Sequence, residues 1–357
     1  MDRATIEIYE RVAAVYDAQR SPRQSGLAEE FAKTVGGGEL RADLGCGPGR
    51  YTAWLGTPVL ALDAAWSMLA LVPGKAPDAL RVQADLEALP LRRGSLGGAW
   101  ANLSYQHVAR LQLPLALARL HDALALGSPI SVALFEGTGE GLLDDDEFPG
   151  RTFVRWGAGD LRPLFTAAGF EVGAIDRGQG AGSEPHPVRI TATRARTLPD
   201  IVGPDMRLLI CGLNPSLYSA DAGLNFARPG NRFWPAALAS GLVTRARDPW
   251  HALTHHGIGF TDIVKTATQR ADGLAAEDYR QGLDRLAWTV KLLRPGAVCF
   301  VGLAGVRAAL DRRAVAGPRA EGFAGLPAYV MPNTSGLNAH AGPADFERHL
   351  RAAAALA

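Results

Sequence analysis

Twice in this chain an apolar run ends directly in a glycine-rich turn, at RADLGCGPGR (residues 41–50) and at RLLICGLNPS (207–216). A strand that stops at glycines and continues as a helix is the opening of an α/β unit with a mostly parallel sheet. Each turn starts its own alternation of strand-length and helix-length stretches. After the first come VLALD, LPLALARLHDALAL, ISVALFE and FEVGAID; after the second come FWPAALASGL, GAVCFVG, AYVMPN and a closing ADFERHLRAAAAL. The sequence therefore predicts two α/β domains, and 357 residues are enough for each to bury a core. No internal repeat links the halves. The loop GQGAGSEPHP joins two late strands of the first domain, since VRITATRAR still alternates. The boundary then falls in RTLPDIVGPDM, giving domains 1–196 and 197–357.

Composition narrows the class. A chain that is 47% hydrophobic and 20% charged is a folded, soluble one. No apolar run approaches a membrane span, and the opening MDRATIEIYERVAAVYD is amphipathic and acidic, unlike a secretory or transit peptide. The expectation is a cytoplasmic protein with no membrane partner. Cys46, Cys211 and Cys299 are too few and too scattered for a disulfide framework or an iron–sulfur cluster. His251, His255 and His256 lack a matching carboxylate or thiolate set, and the DDDE run at 144–147 reads as a solvated loop, so no metal site is expected. Charge is uneven: residues 1–196 carry 20 Lys and Arg against 23 Asp and Glu, residues 197–357 carry 17 against 13. A nucleic-acid surface, if present, belongs to the second half.

In the first glycine turn, Gly45, Gly47 and Gly49 allow a tight bend and close approach of a ligand to the backbone. Asp63 ends the next strand fourteen residues later, where a carboxylate can accept hydrogen bonds from both ribose hydroxyls. Asp85, in VQADLEALPL, ends another strand and can meet an adenine amino group. With IYERVAAVYDAQR before them and WGAGDLRPLFTAAGFEV after, these residues resemble the class I S-adenosylmethionine-dependent methyltransferases over about residues 5–175. The resemblance implies a Rossmann-like fold and S-adenosylmethionine as cofactor. It also implies that Asp43 faces the methionine amino group and that Leu86 joins Asp85 at the adenine. Gly97-Gly98 stands where the family has an acid, and ALGSPI replaces its Pro-Gly-Gly turn.

In the second half Asn214 stands at the carboxyl end of a strand, where it can orient a water or hydrogen-bond a base but cannot act as a general base. Phe226 lies in a Gly/Pro-bounded loop, placed to stack on a base or to pack in the core. In MPNTSGLNAH, Gly336 permits close approach and Leu337 can fill the space left by an extruded nucleotide. Asn333 and Ser335 either bond phosphate or hold that turn.

Together, G-L-N-P-S-L, F-A-R-P-G-N-R-F-W and N-T-S-G-L resemble the mismatch-specific uracil/thymine DNA glycosylases over about residues 206–355. The resemblance implies an α/β/α fold with a central parallel sheet, and a DNA duplex carrying a mismatched or damaged base as partner. By it, Asn214 positions the attacking water, Phe226 stacks on the base, and Gly336-Leu337 form the wedge. Backbone N–H groups of the turn at Gly212 and Leu213 then assist the departing pyrimidine, without any cofactor. Ser216 stands where bacterial members have Gly, and Ala339 replaces an Arg that would contact the opposite strand. Asp262, in GIGFTDIVKTATQR, replaces the usual Lys or Asn. It either supplies the base function that Asn214 lacks, or caps a helix or pairs with Lys265 or Arg270. The leading expectation is a DNA repair glycosylase fused to a methyltransferase-like domain. The alternatives are a methyltransferase docked on nucleic acid by its second half, and a first half that binds without catalysing.

Overall fold

The strand and helix spacing resolves, in a computed structural model, into two sheets. The structure describes residues 1–20, 25–143, 146–178, 186–269 and 273–357. Two residues of the acidic run (144–145), most of the loop at 178–187, and Arg270 lie outside the described residues. The chain divides into two units, Met1–Phe165 with Phe170–Ala195, and Thr166–Gly169 with Arg196–Ala357. No described helix is long and apolar enough to cross a membrane.

The first unit begins with helices α1 (Arg3–Gln19) and α2 (Ser25–Thr34), then β1 (Arg41–Leu44), β2 (Val59–Asp63), the short α3 (Trp66–Leu69) and β3 (Leu80–Gln83). It continues with β4 (Gly98–Asn102), α4 (Leu113–Ala123), β5 (Pro129–Glu136), β6 (Glu140–Leu142), β7 (Thr152–Trp156), α5 (Ala158–Ala167), β8 (Phe170–Arg177) and β9 (Pro187–Arg194). The sheet order is β3-β2-β1-β4-β5-β7-β6, with β9 antiparallel to β5 and to β8. Strand order reverses between β1 and β4, so a crevice opens at their carboxyl ends. The glycine turn 45–49 leaves β1 at that point.

The second unit contains β10 (Leu208–Gly212), α6 (Leu217–Ala222), α7 (Phe233–Ala239), α8 (Pro249–His256), β11 (Ile258–Asp262) and α9 (Ala276–Leu293). Then follow β12 (Ala297–Val301), α10 (Leu303–Ala309), β13 (Gly317–Phe323), β14 (Leu326–Met331) and α11 (Pro343–Ala354). The order is β11-β10-β12-β14-β13, parallel except for β13, which runs antiparallel to β14 at the edge. Both faces of β10, β11 and β12 are covered, and every residue of the three strands is buried. Order reverses between β10 and β12, which places the turn after Gly212 at the second unit's own crevice.

Candidate functional site

The second crevice is built on paired strand ends. Gly212 of β10 lies in register with Asp262 of β11, and the Ile263 and Val264 amides donate to the Gly212 and Leu213 carbonyls, both at 2.9 Å. A Cβ on Gly212 would collide with Asp262 Oδ1, so only glycine lets this carboxyl group lie across the end of β10. Beyond it the Asn214 amide nitrogen donates to Thr268 Oγ1 (2.7 Å), to the Thr266 carbonyl (2.9 Å) and to the Pro215 carbonyl (3.3 Å). Carbonyl oxygens can only accept, so this set fixes which end of the amide is nitrogen and leaves Oδ1 without a hydrogen-bond partner among the described residues.

Asp262 is buried, and its Oδ2 has no hydrogen-bond partner among the described residues. Beneath it Asp200 Oδ1 accepts from Thr261 Oγ1 and Lys265 Nζ, and Asp200 Oδ2 from Arg285 Nη1, each at 2.7 Å. Arg285 also donates to the Asp262 carbonyl. Lys265 is thus taken by Asp200, and among the described residues Asp262 caps no helix. Burial pushes the Asp262 carboxyl up to about 6 and Asp200 adds to the rise, while Lys265 and Arg285 oppose it. With Asp262 ionised, the four charged groups sum to neutrality.

Phe226 lies in the segment before α7. Its backbone is left-handed (φ 55°), and its half-buried ring stacks on the fully buried Phe233 at 4.2 Å and 20°. One face is therefore supported by the core, as a stacking platform requires. Asn231 and Arg232 tie this segment to the loop after β14. Asn231 Oδ1 accepts from Thr334 Oγ1 (3.0 Å), and Arg232 donates to the carbonyls of Ser335 (2.7 Å), Asn338 (2.6 Å) and Ala341 (2.9 Å). A Cβ on Gly336 would lie 2.8 Å from the Gly230 carbonyl oxygen, so the two segments meet backbone to backbone. At the tip, Leu337 is 87% exposed, the most exposed large apolar side chain described. Asn333 Oδ1 accepts the Ser335 amide (2.9 Å) and Ser335 Oγ the Leu337 amide (3.3 Å), so both hold the loop.

In the first unit Gly45, Gly47 and Gly49 all have positive φ (67°, 54° and 81°). A Cβ on Gly45 would collide with Ser104, whereas the space over Gly47 is open. Asp63 accepts the Gly47 amide (2.8 Å) and the Ala65 amide (2.9 Å), bracing the turn. Asp43 accepts the Thr52 hydroxyl at 2.7 Å. Burial raises Asp43 to about 7, opposed by the Thr52 bond and reinforced by the charge of Asp63, and burial raises Asp63 to about 6. Two carboxyl groups that resist ionisation beside an open glycine cradle fit a ligand that carries positive charge. Asp85 accepts the Glu87 amide (2.9 Å) and the terminal ammonium of Met1 (2.6 Å), and Leu86 is buried.

Residues 199–355 match the family model of the uracil DNA glycosylase superfamily, and residues 42–129 match that of a methyltransferase domain. The chain joins these two domains. Similar solved structures include S-adenosylmethionine-dependent methyltransferases from Methanosarcina mazei (15% identity, 46% of this chain and 97% of that one, TM-score 0.42) and Mesorhizobium loti (19%, 47% and 96%, 0.39). Another is 1,6-didemethyltoxoflavin-N1-methyltransferase from Burkholderia thailandensis (20%, 54% and 88%, 0.43).

Within the glycosylase-superfamily domain the structure brings Gly212, Leu213, Asn214 and Asp262 to adjacent strand ends, and joins the Phe226 segment to the Asn333–Leu337 loop. Ser216 serves as the N-cap of α6, accepting the Ser219 amide at 3.1 Å. In the methyltransferase domain, Cβ atoms at Gly97 and Gly98 would run into Glu39 and Val35, which explains why neither position carries an acid. Sequence reasoning missed Thr268, Asp200, Arg285, Asn231 and Arg232. Only the Asn-Arg pair had a signal, since it sits inside the FARPGNRFW motif.

Proposed function

We propose that residues 197–357 form a DNA glycosylase that hydrolyses the N-glycosidic bond of uracil in mismatched duplex DNA, as one step of base excision repair. The observation that carries this reading is the Asn214 amide, whose nitrogen is held by three acceptors, so that its oxygen is left without a hydrogen-bond partner among the described residues. An acceptor fixed at a strand end holds a water without taking its proton. Leu337 enters the duplex, the base swings onto Phe226, and the N–H groups at Gly212 and Leu213 face its carbonyl oxygens. As the C1′–N1 bond breaks, its electron pair stays on the base. The water oxygen bonds C1′ and its proton passes to the Asp262 carboxylate at the neighbouring strand end. The test is single-turnover base release from duplexes carrying uracil opposite guanine or adenine, and from the single strand. Asn214→Ala should cut release by on the order of a hundredfold or more. No release by the wild-type chain from any of these substrates sinks the assignment.

The first 196 residues are read as the binding domain for S-adenosylmethionine, held by Asp43, Gly45, Gly47, Gly49, Asp63, Asp85 and Leu86. When bound, this cofactor supplies an electrophilic methyl group. The chain's own part is to set the ribose against Asp63 and the cationic methionine end near Asp43. This cradle also favours a second reading, in which methyl transfer is the main activity and the second domain docks nucleic acid. With three buried free cysteines, the protein suits a reducing, cytoplasmic setting.

A further inference from the structure

Between Asp221 and Asp262 the chain carries a single acidic residue, Asp248, against Arg228, Arg232, Arg245, Arg247 and three histidines. Asp248 is turned onto its own helix: its carboxylate accepts the His251 amide at 2.9 Å as the N-cap of α8. Arg232 is engaged inside the Leu337 loop. The other three arginines, 228, 245 and 247, are exposed, and among the described residues none of them forms an ion pair.

Their placement relates them to Phe226. Arg247 Nη1 donates to the carbonyl of Ala227 at 3.3 Å, between Phe226 and Arg228. Phe226 and Arg247 both hold left-handed backbone (φ 55° and 61°), a costly conformation for such residues that concentrates at functional sites. Two residues beyond Arg228, Gly230 touches Gly336 of the Leu337 loop. From Arg247 the chain leads back to Arg245 and on into α8, where the ring of His251 lies 4.3 Å from that of His255 and 5.4 Å from that of His256. Unpaired, exposed guanidinium groups beginning at the rim of a stacking platform suit a polyanion that passes the platform, and a DNA backbone is such a ligand.

We propose that Arg228, Arg247 and Arg245 form a track for the phosphates of a duplex, running from the Phe226 platform along residues 244–248 to the head of α8. The proposal rests on the reading that this domain works on DNA, and it adds where the backbone lies. The experiment measures binding of a lesion-free duplex to the full chain across roughly 50–200 mM salt, by fluorescence anisotropy. Removing one arginine that neutralises a phosphate lowers the slope of log affinity against log salt by about 0.9, so Arg245→Gln with Arg247→Gln should lower it by about two. Arg312→Gln with Arg313→Gln, an equal change of charge on two exposed residues between α10 and β13, should leave it in place. Equal effects from both pairs, or none from the first, overturn the proposal. Because the duplex carries no uracil, the outcome is separate from base release. A chain with the expected slopes that releases no uracil keeps the track and loses the glycosylase reading. Release with an unchanged slope does the reverse.

Discussion

Asp262 is held where its charge is costly, and that cost separates a working carboxylate from a structural one. Its folded pKa, about 6, lies above that of a free aspartate because burial penalises the anion. The folded state therefore binds the proton more tightly than the unfolded state. The penalty is absent below the unfolded value, about 4, and is complete once pH has risen through the folded one. Asp262→Asn should make the domain more stable at alkaline pH, by on the order of 2 kcal/mol, with the gain fading in acid. Urea unfolding at both ends of that range reads this directly. The same substitution should slow single-turnover release by on the order of a hundredfold and remove a rise in wild-type rate through pH 6. A variant that is stabilised yet as fast as wild type would leave Asp262 without a catalytic part. A carboxyl group that costs stability and adds no rate would then need another reason to stand over Gly212.

At the scale of elements, the Leu337 loop is shaped from outside itself. Arg232 holds three of its carbonyls, a spread that a planar guanidinium spans and an ammonium does not. Arg232→Gln should lower uracil release from a duplex about as much as Leu337→Ala, since either removes a working wedge. Release from the single strand, where no stack must be opened, should hardly change in either variant. Arg232→Lys should not restore the duplex rate. A loss of equal size on single-stranded substrate would show that Arg232 supports the whole domain rather than the loop. This dependence was invisible in the sequence because the arginine and the carbonyls it holds lie about a hundred residues apart. The strands β10 and β12 were legible as apolar runs, since burial on both faces leaves no other pattern, and so was β14 through its buried half, AYVM. IGFTD was not, because Thr261 and Asp262 break the run. They are tolerated there only because Asp200 and Arg285, from the segment before β10 and from α9, take up Thr261 and the Asp262 carbonyl. The edge strand β13 was equally hidden, because GPRAEGF alternates exposed and half-buried residues with little apolar content.

At the scale of the molecule, two sheets with separate cores should behave as two cooperative units, and a ligand of one should reveal it. A ligand at a hundredfold excess over its dissociation constant stabilises the unit that binds it by about 2.7 kcal/mol. For a unit of this size that is a rise of about 5–10 °C in midpoint. Calorimetry of the full chain should show two transitions, of which S-adenosylmethionine moves one and a product-like abasic duplex the other. The sulfonium of the cofactor gains from ionised neighbours. Asp43 and Asp63 lose their charge as pH falls through about 7 and about 6, so the cofactor-induced shift should shrink over that window. Asp63→Asn should weaken that shift and leave the DNA-induced one intact, because Asp63 braces the Gly47 turn of the first unit. If S-adenosylmethionine raised both transitions together, the two halves would unfold as one block. The cofactor would then act on the stability of the glycosylase-superfamily domain as well, a coupling that independent cores would not transmit.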